Sequence, residues 1–338
     1  MGPVYVEKLS IDRPKRRIHR SRSLALRDAW PILRATDPAE AKSAVTWATE
    51  QGALGIAIDG PLEAVKAALQ ERSLPVRALH RPWLALPGDP DELKERTIEK
   101  VIVDCLSPTN PGTFDLVSER LKRFLALPGL AGVLLRDAVP PGYRFVNDKG
   151  NATALLGYTE RNRQGFLKEY QRDIFDVAPG YCPYALKRYA PWVDLYGEPE
   201  WAMWRVDKVM ESLNHLRLAI TSACPMWLEG GLGANSYLME TLGTPLPGWL
   251  VLWTIWKEED EHFLWDLYYP SEQKLIVTAR NAGQNPWLLI PIPKGSPRAA
   301  IEERLGKLEL ETGEGWQGRY LDLSELSLDE ARELFVGT

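Results

Sequence analysis

Residues 37–59, DPAEAKSAVTWATEQGALGIAID, contain one complete unit in which a helix leads into a strand. Asp37 followed by Pro38 predicts a helix start, because Asp accepts hydrogen bonds from free N–H groups and Pro fits the first turn. Gly52 favours the helix end, and the apolar run Ala53–Asp59 predicts a buried strand. Such a unit is typical of an α/β protein with a parallel sheet.

The same alternation continues along the chain. Further helices are predicted after Gly60-Pro61, near Asp91–Lys100, near Thr113–Leu125 and over Glu200–Ala219. Strands are predicted at Pro75–His80, Val101–Asp104, Ala131–Asp137, Met226–Leu228, Trp249–Ile255, Leu275–Thr278 and Trp287–Ile292, with Arg319–Leu323 competing for the last place. About eight strands predict a (β/α)8 TIM-type barrel. A doubly wound sheet is disfavoured because the sequence has no GxGxxG or GxxxxGK[ST] turn.

These patterns divide the chain into a basic N-terminal segment, residues 1–36, and a barrel over residues 37–338. Residues 140–199, rich in Gly, Pro, Tyr and charge, are predicted to form an insertion over the C-terminal face. An insertion of this length in a compact domain is usually functional, for example as a lid or a binding loop.

Composition excludes several classes of protein. A net charge of −5 argues against general nucleic-acid binding, although the basic run Arg13–Arg22 is either a phosphate-binding arm or a solvated segment. No stretch reaches about 18 consecutive apolar residues, so no membrane partner is expected. The start lacks an export signal, which predicts a cytoplasmic protein or an exported one whose signal was removed. The oligomeric state stays open.

Neither a cofactor nor a metal is expected. The three cysteines are too far apart for a CxxC site and too few for a disulfide framework; they are Cys105, Cys182 and Cys224. The four histidines have no HxH or HExxH spacing, which argues against zinc or iron. A calcium ion bound by oxygen atoms of the insertion is left open.

Acidic residues recur where the predicted strands end. Asp59, Asp104, Asp137 and Glu229 each end or follow such a run, and His80 ends another. The active site of a barrel of this kind lies at the C-terminal ends of the strands. Asp59 and Asp104 have a second interpretation as helix caps. Two carboxylates facing each other across a groove predict glycosidic hydrolysis, in which one protonates the leaving oxygen and the other attacks the sugar or activates water.

Aromatic residues are the second candidate feature. Thirteen tryptophans indicate either a thick core or a groove lined by flat rings, which suits sugars. Trp253 and Trp256 lie near a strand end, where sugar stacking and core packing are both open. Tyr143 and Tyr158 lie in the predicted insertion and are candidates to line a cleft; for Tyr158, packing of the insertion against the barrel is left open as well. Trp201, Trp204 and Arg205 are predicted to be structural, with the indoles buried and Arg205 paired to an acid.

Three segments resemble one family. Residues 105–143, CLSPTNPGTFDLVSERLKRFLALPGLAGVLLRDAVPPGY, are similar to the NP-(helix)-DGI-x-L-D-D-x-x-x-P core of bacterial glycosyl hydrolase-like, family-10-like barrel proteins. Residues 157–177, GYTERNRQGFLKEYQRDIFDV, and residues 201–209, WAMWRVDKV, resemble the next two motifs of that family in the same order. The segments lie within residues 105–209, a span of about a third of the chain.

The resemblance implies a (β/α)8 barrel and a carbohydrate substrate, and it places the last carboxylate of the motif on Asp137. Two positions depart from the family pattern: Ala131 stands in place of an Asp, and Arg136 replaces the first Asp of a pair. A neighbouring Arg favours the ionised form of Asp137, hence a base, nucleophile or sugar acceptor over a general acid. These departures put hydrolytic competence in question.

The leading hypothesis is a glycoside hydrolase acting on a poly- or oligosaccharide through Asp137, with Glu229 or Asp104 as the second carboxylate. The predicted substrate-binding residues are Asp59, His80, Arg136, Tyr143, Tyr158, Trp253 and Trp256. The alternative is a non-catalytic carbohydrate-binding barrel derived from a glycosidase. A third interpretation is an enzyme for a small phosphorylated metabolite, whose phosphate site would be Lys294-Gly295-Ser296.

Overall fold

A computed structural model of the chain describes residues 24–97, 99–137, 140, 156–175, 199–220, 224–231, 250–254, 287–303, 305 and 318–335. The parallel strands are β1 (Ala29–Arg34), β2 (Ile56–Asp59), β3 (Val76–His80), β6 (Leu130–Leu135), β7 (Met226–Gly231), β8 (Leu250–Thr254), β9 (Trp287–Pro291) and β10 (Gly318–Asp322). A separate antiparallel pair consists of β4 (Lys94–Arg96) and β5 (Ile102–Leu106).

Six longer helices are described along the chain. They are α1 (Pro38–Glu50), α2 (Leu62–Gln70), α3 (Pro111–Leu125), α4 (Glu160–Tyr170), α5 (Pro199–Ala219) and α6 (Leu328–Phe335). No helix within the described ranges has the length and apolarity needed to cross a membrane.

The eight parallel strands join in the order β1-β10-β9-β8-β7-β6-β3-β2, and the pairing of β2 with β1 closes the sheet. This curled parallel sheet confirms the predicted α/β class. Ile32 pairs with Ala57 on one side of the sheet, and Leu134 pairs with Trp227 on the other. The register shifts by one residue between β3 and β6, where Val76 pairs with Leu130 and Ala78 with Val133.

Three predictions of local structure are wrong. In place of the helix predicted near Asp91–Lys100, the structure has a short 3₁₀ helix, Asp91–Leu93, followed directly by β4. Val101–Asp104 lies in the antiparallel β4–β5 pair and not in the barrel, because the connection from β3 to α3 contains this extra hairpin. The first barrel strand is β1, so the barrel begins before Asp37 and the N-terminal segment is shorter than residues 1–36. β10 confirms the Arg319–Leu323 alternative, while Leu275–Thr278 lies outside the described residues.

Hydrophobic side chains fill both sides of the sheet. One cluster includes Trp30, Ile32, Leu134 and Tyr320, and it occupies the barrel interior because their strand registers place them around one ring. A larger cluster joins the outer strand faces to the surrounding helices. Burial of apolar surface on both faces explains why these strands read as almost continuous hydrophobic runs.

The predicted start of α1 is confirmed. Asp37 is the N-cap, and its Oδ1 accepts hydrogen bonds from Ala39 N at 2.7 Å and Glu40 N at 2.9 Å. The cap fixes the chain just after β1, at the carboxyl end of the sheet. This position makes α1 one wall of the mouth of the barrel.

The described part of the predicted insertion has its own small core. Tyr158 and Phe166 pack with Trp201 and Trp204 of α5, and all four are at most 3% exposed. Arg205 is buried and donates a hydrogen bond from Nη1 to the Leu156 carbonyl at 2.8 Å. The structural interpretation of the two tryptophans is confirmed.

Candidate functional site

A cavity of about 870 Å³ opens at the carboxyl end of the parallel strands. Its walls come from the ends of β1, β2 and β10, from the start of α1 and from the start of α6. Charged and polar side chains that line it include Arg34, Asp59, Arg81, Arg136 and Ser324. The carboxyl ends of parallel strands are where barrel and α/β enzymes hold their ligands, so this is the candidate functional site.

Arg81 links two carboxylates at the mouth. Its Nη1 donates to Asp59 Oδ1 at 2.6 Å, and its Nε lies 3.4 Å from Asp137 Oδ2. Burial disfavours the charge on Arg81, but the hydrogen bond and negative charge of Asp59 outweigh it, so the pKa of Arg81 is raised. Arg81 was not among the predicted site residues, although it directly follows the predicted strand that ends at His80.

A second ion pair joins Arg136 Nη1 to Asp322 Oδ2. Ser324 donates to the same carboxylate through Oγ at 2.6 Å and through its backbone N at 3.1 Å. Asp322 is 3% exposed, which makes it the most deeply buried carboxylate of this cluster. Arg136 was predicted to act on its neighbour Asp137; the structure adds a contact of Arg81 with Asp137 and an ion pair of Arg136 with Asp322.

Asp322 was missed as a site residue even though it lies in the predicted run Arg319–Leu323. The signal was available, since this carboxylate ends an apolar strand as Asp59 and Asp137 do. What the sequence could not show is that β10 and β6 bring Asp322 and Arg136 together.

Asp137 has an unusual backbone conformation. Its φ is +50°, in the left-handed region that few residues other than glycine adopt, although Asp is among the more tolerant. Its side chain is 32% exposed. Residues held in sparsely populated conformations cluster at functional sites, where the surrounding structure fixes them.

The other predicted catalytic residues are placed as follows. Glu229 lies in β7, next to β6, and its backbone pairs with Leu252 of β8. Asp104 lies on β5, is exposed, and belongs to the antiparallel hairpin, so it does not end a barrel strand as predicted.

Two of the predicted substrate-binding residues are used for packing. The His80 ring centre lies 5.5 Å from that of Phe124 in α3, and its Nε2 is buried. Burial, followed by the positive charges of Arg120 and Arg81, lowers the pKa of His80 to about 4. Tyr158 is 3% exposed in the small aromatic core with Trp201, which does not support its predicted contact with substrate.

The remaining aromatic candidates are only partly placed. Trp253 lies in β8, where its backbone pairs with Gly230 and Leu288. Tyr143 and Trp256 lie outside the described residues.

The predicted phosphate ligand Lys294 has an acidic partner in the structure. Its Nζ lies 2.9 Å from Glu330 Oε1, and Glu330 also accepts a hydrogen bond from Ser327 N at the start of α6. This ion pair gives the interpretation as a phosphorylated-metabolite enzyme no support. Within the described ranges, no three His, Cys, Asp or Glu side chains converge in a way that could hold a metal ion.

No family model and no curated protein matches this chain in sequence. Solved structures match in fold. The PgaB (BpsB) glycoside hydrolase domain from Bordetella bronchiseptica is 9% identical, with a TM-score of 0.53, and the match covers 91% of this chain and 96% of that one. The resemblance is therefore one of fold, to a glycoside hydrolase domain over nearly its whole length; membership of family 10 is not shown.

Two lower-scoring matches are also glycoside hydrolases. An α-galactosidase from Lactobacillus brevis is 10% identical with a TM-score of 0.40, covering 91% of this chain and 39% of that one. A GH20 exo-β-N-acetylglucosaminidase from Vibrio harveyi is 10% identical with a TM-score of 0.36, covering 78% and 41%. This chain thus spans about two fifths of the length of each.

Proposed function

We propose that this chain is a glycoside hydrolase with a complete (β/α)8 barrel that acts on a poly- or oligosaccharide at the mouth of its parallel strands. The proposal rests on the position of Asp137. Its carboxylate is partly exposed just after β6, its backbone is left-handed, and its Oδ2 lies next to Arg81. The fold similarity to a glycoside hydrolase domain supports the reaction class.

Asp137 acts as the nucleophile or the general base of the pair. Arg81 lies 3.4 Å from Asp137 Oδ2, so a cation faces this carboxylate. An ionised carboxylate either attacks the anomeric carbon or removes a proton from the attacking water. The glycosidic bond breaks in the same step, and its oxygen needs a proton from a second group.

Glu229 is the proposed proton donor. Leu228 of β7 pairs with Leu135, the last residue of β6, so the backbone of Glu229 lies level with the residues that follow β6. Asp104 has no such position, because β5 is outside the barrel. The proposed pair is therefore Asp137 with Glu229.

Residues 140–199 are proposed to cover part of this mouth. Within the described part, Tyr158 N donates to the Arg96 carbonyl at 3.2 Å, which ties the insertion to the β4–β5 hairpin. That hairpin lies in the connection that leaves the carboxyl end of β3. The described residues that lead into α4 are therefore held beside the connection that leaves the carboxyl end of β3.

The test is reducing-sugar release from a broad panel of polysaccharides. We compare the parent protein with Asp137→Asn, Glu229→Gln and the control Asp104→Asn, which makes the same chemical change on the exposed hairpin. We expect activity in the parent and the control and a loss of about 10³-fold or more in the other two, since each removes one half of acid–base catalysis. Equal activity in the parent and Asp137→Asn would refute the assignment.

A second candidate is a carbohydrate-binding barrel without catalysis. The specific observation in its favour is that Asp59, Asp137 and Asp322 each contact an arginine, which is also typical of a static ion-pair network. Calorimetric binding of an oligosaccharide by the parent, with no reducing sugar released from the same compound, would favour this function.

A further inference from the structure

The Arg136–Asp322 ion pair crosses the mouth of the barrel. In the strand order β1-β10-β9-β8-β7-β6-β3-β2, β6 and β10 are four places apart in either direction. Arg136 follows β6 and Asp322 ends β10, so their contact joins opposite sides of the closed sheet. The contacts of Arg81, by contrast, join β3 to its two neighbours, β2 and β6.

Several contacts hold Asp322, the β10 partner of this ion pair. Asp322 is 3% exposed; its Oδ2 contacts Arg136, and its Oδ1 accepts two hydrogen bonds from Ser324. Arg136 Nη1 also lies 3.3 Å from Ser324 Oγ. A carboxylate bonded at both oxygens and buried is a fixed partner, and a guanidinium bound to it loses little further freedom.

The β6 end of the crossing adjoins Asp137. Arg136 N donates to the His80 carbonyl at 2.9 Å, and the next residue, Asp137, has a φ of +50°. A left-handed backbone costs about 1–2 kcal/mol for a residue with a Cβ, and it persists where neighbouring contacts fix the chain on both sides. Here the side chain of Arg136 is held across the barrel, and the carboxylate of Asp137 is held by Arg81.

We propose that Arg136 is a positioning residue for Asp137. Its anchor on Asp322 holds the end of β6 in the conformation that presents the Asp137 carboxylate at the mouth, beside Arg81. The inference rests on the proposed function, in which Asp137 is the catalytic carboxylate.

The experiment compares crystal structures of the parent, Arg136→Met, Arg136→Lys and Arg332→Met. Arg332 is the matched control, because it forms a 3.0 Å exposed ion pair with Asp329 on α6. In Arg136→Met we expect Asp137 to leave the left-handed region and its carboxylate to move away from Arg81. Arg136→Lys retains a cation for Asp322 and restores the parent geometry, and Arg332→Met leaves it unchanged. An unchanged Asp137 backbone in Arg136→Met overturns the proposal.

Asp322→Asn provides a second route if Arg136→Met does not fold. The amide oxygen still accepts from Ser324, but the charge that anchors Arg136 is gone, so Asp137 is expected to shift here as well; if it keeps the parent geometry, the proposal fails.

Kinetics separate this proposal from the proposed function. On a sugar that the parent cleaves, Arg136→Met should lower kcat about 100-fold with little change in KM, and Arg136→Lys should recover most of the loss. If the parent cleaves no sugar, the proposed function fails, while the crystal structures still decide whether Arg136 positions Asp137.

Discussion

The guanidinium carbon of Arg77 lies 3.6 Å from the centre of the Trp30 ring inside the barrel. The ring centres of Trp227 and Trp287 are 3.9 Å and 4.7 Å away, and Nη1 donates to the Tyr320 hydroxyl. Arg77 is 8% exposed, and burial lowers its pKa because the charged form loses water. The aromatic faces replace part of that hydration, so several of the tryptophans surround a buried cation.

This arrangement predicts a stability effect for Tyr320→Phe. The substitution keeps the ring but removes the acceptor for Arg77 Nη1, leaving a buried donor of a charged group unsatisfied. We expect the free energy of unfolding to fall by about 1–3 kcal/mol, measured by urea denaturation. Tyr170→Phe is the control, because Tyr170 is 38% exposed at the end of α4. Equal effects of the two substitutions would contradict this role for the hydroxyl.

The low pKa of His80 predicts that the folded protein loses stability in mild acid. Its pKa is about 4 in the folded protein, whereas an unfolded histidine titrates near 6.5. Between these values the unfolded chain binds more protons, so stability falls as the pH decreases from about 6.5 towards 4 and is constant above that window. At pH 5 the loss attributable to this one group is about 2 kcal/mol.

The measurement is urea unfolding of the parent and His80→Phe at pH 7 and pH 5. Phenylalanine keeps an aromatic ring against Phe124 but cannot take up a proton. We therefore expect the variant to lose less stability than the parent over this interval. Identical losses in the two proteins would show that other groups account for the acid sensitivity.

Gly132 in β6 predicts a packing effect. Its φ is +153°, and a Cβ added there would overlap the Trp227 ring. Gly132→Ala should therefore destabilise the protein by about 1–3 kcal/mol more than Gly295→Ala, which has a φ of +80° but open space around it. Thermal unfolding of both variants measures the difference. Similar melting temperatures would mean that the Trp227 ring moves aside without loss of stability.

Much of the barrel could be predicted from the sequence. The strands β2, β3, β6, β7, β8 and β9 overlap predicted apolar runs, because a strand buried on both faces needs a continuous hydrophobic segment. The start of α1 could also be predicted from neighbouring residues, because Asp37 caps the helix that directly follows it. The prediction failed at Val101–Asp104, where an apolar strand pairs antiparallel in a hairpin; hydrophobicity does not specify the pairing partner.

Asp59 and Asp137 were predicted at the mouth because strand ends can be read from the order of residues. The partners of the two arginines could not be predicted. Arg136 binds Asp322, which is 186 positions away in the chain, and Arg81 contacts Asp137. The amino-acid sequence by itself determined the α/β class and which residues end the strands, because both follow from local patterns of polarity. Only the tertiary structure decided which charges meet, because closure of the barrel places β6 opposite β10 and sets the distances on which ion pairs depend.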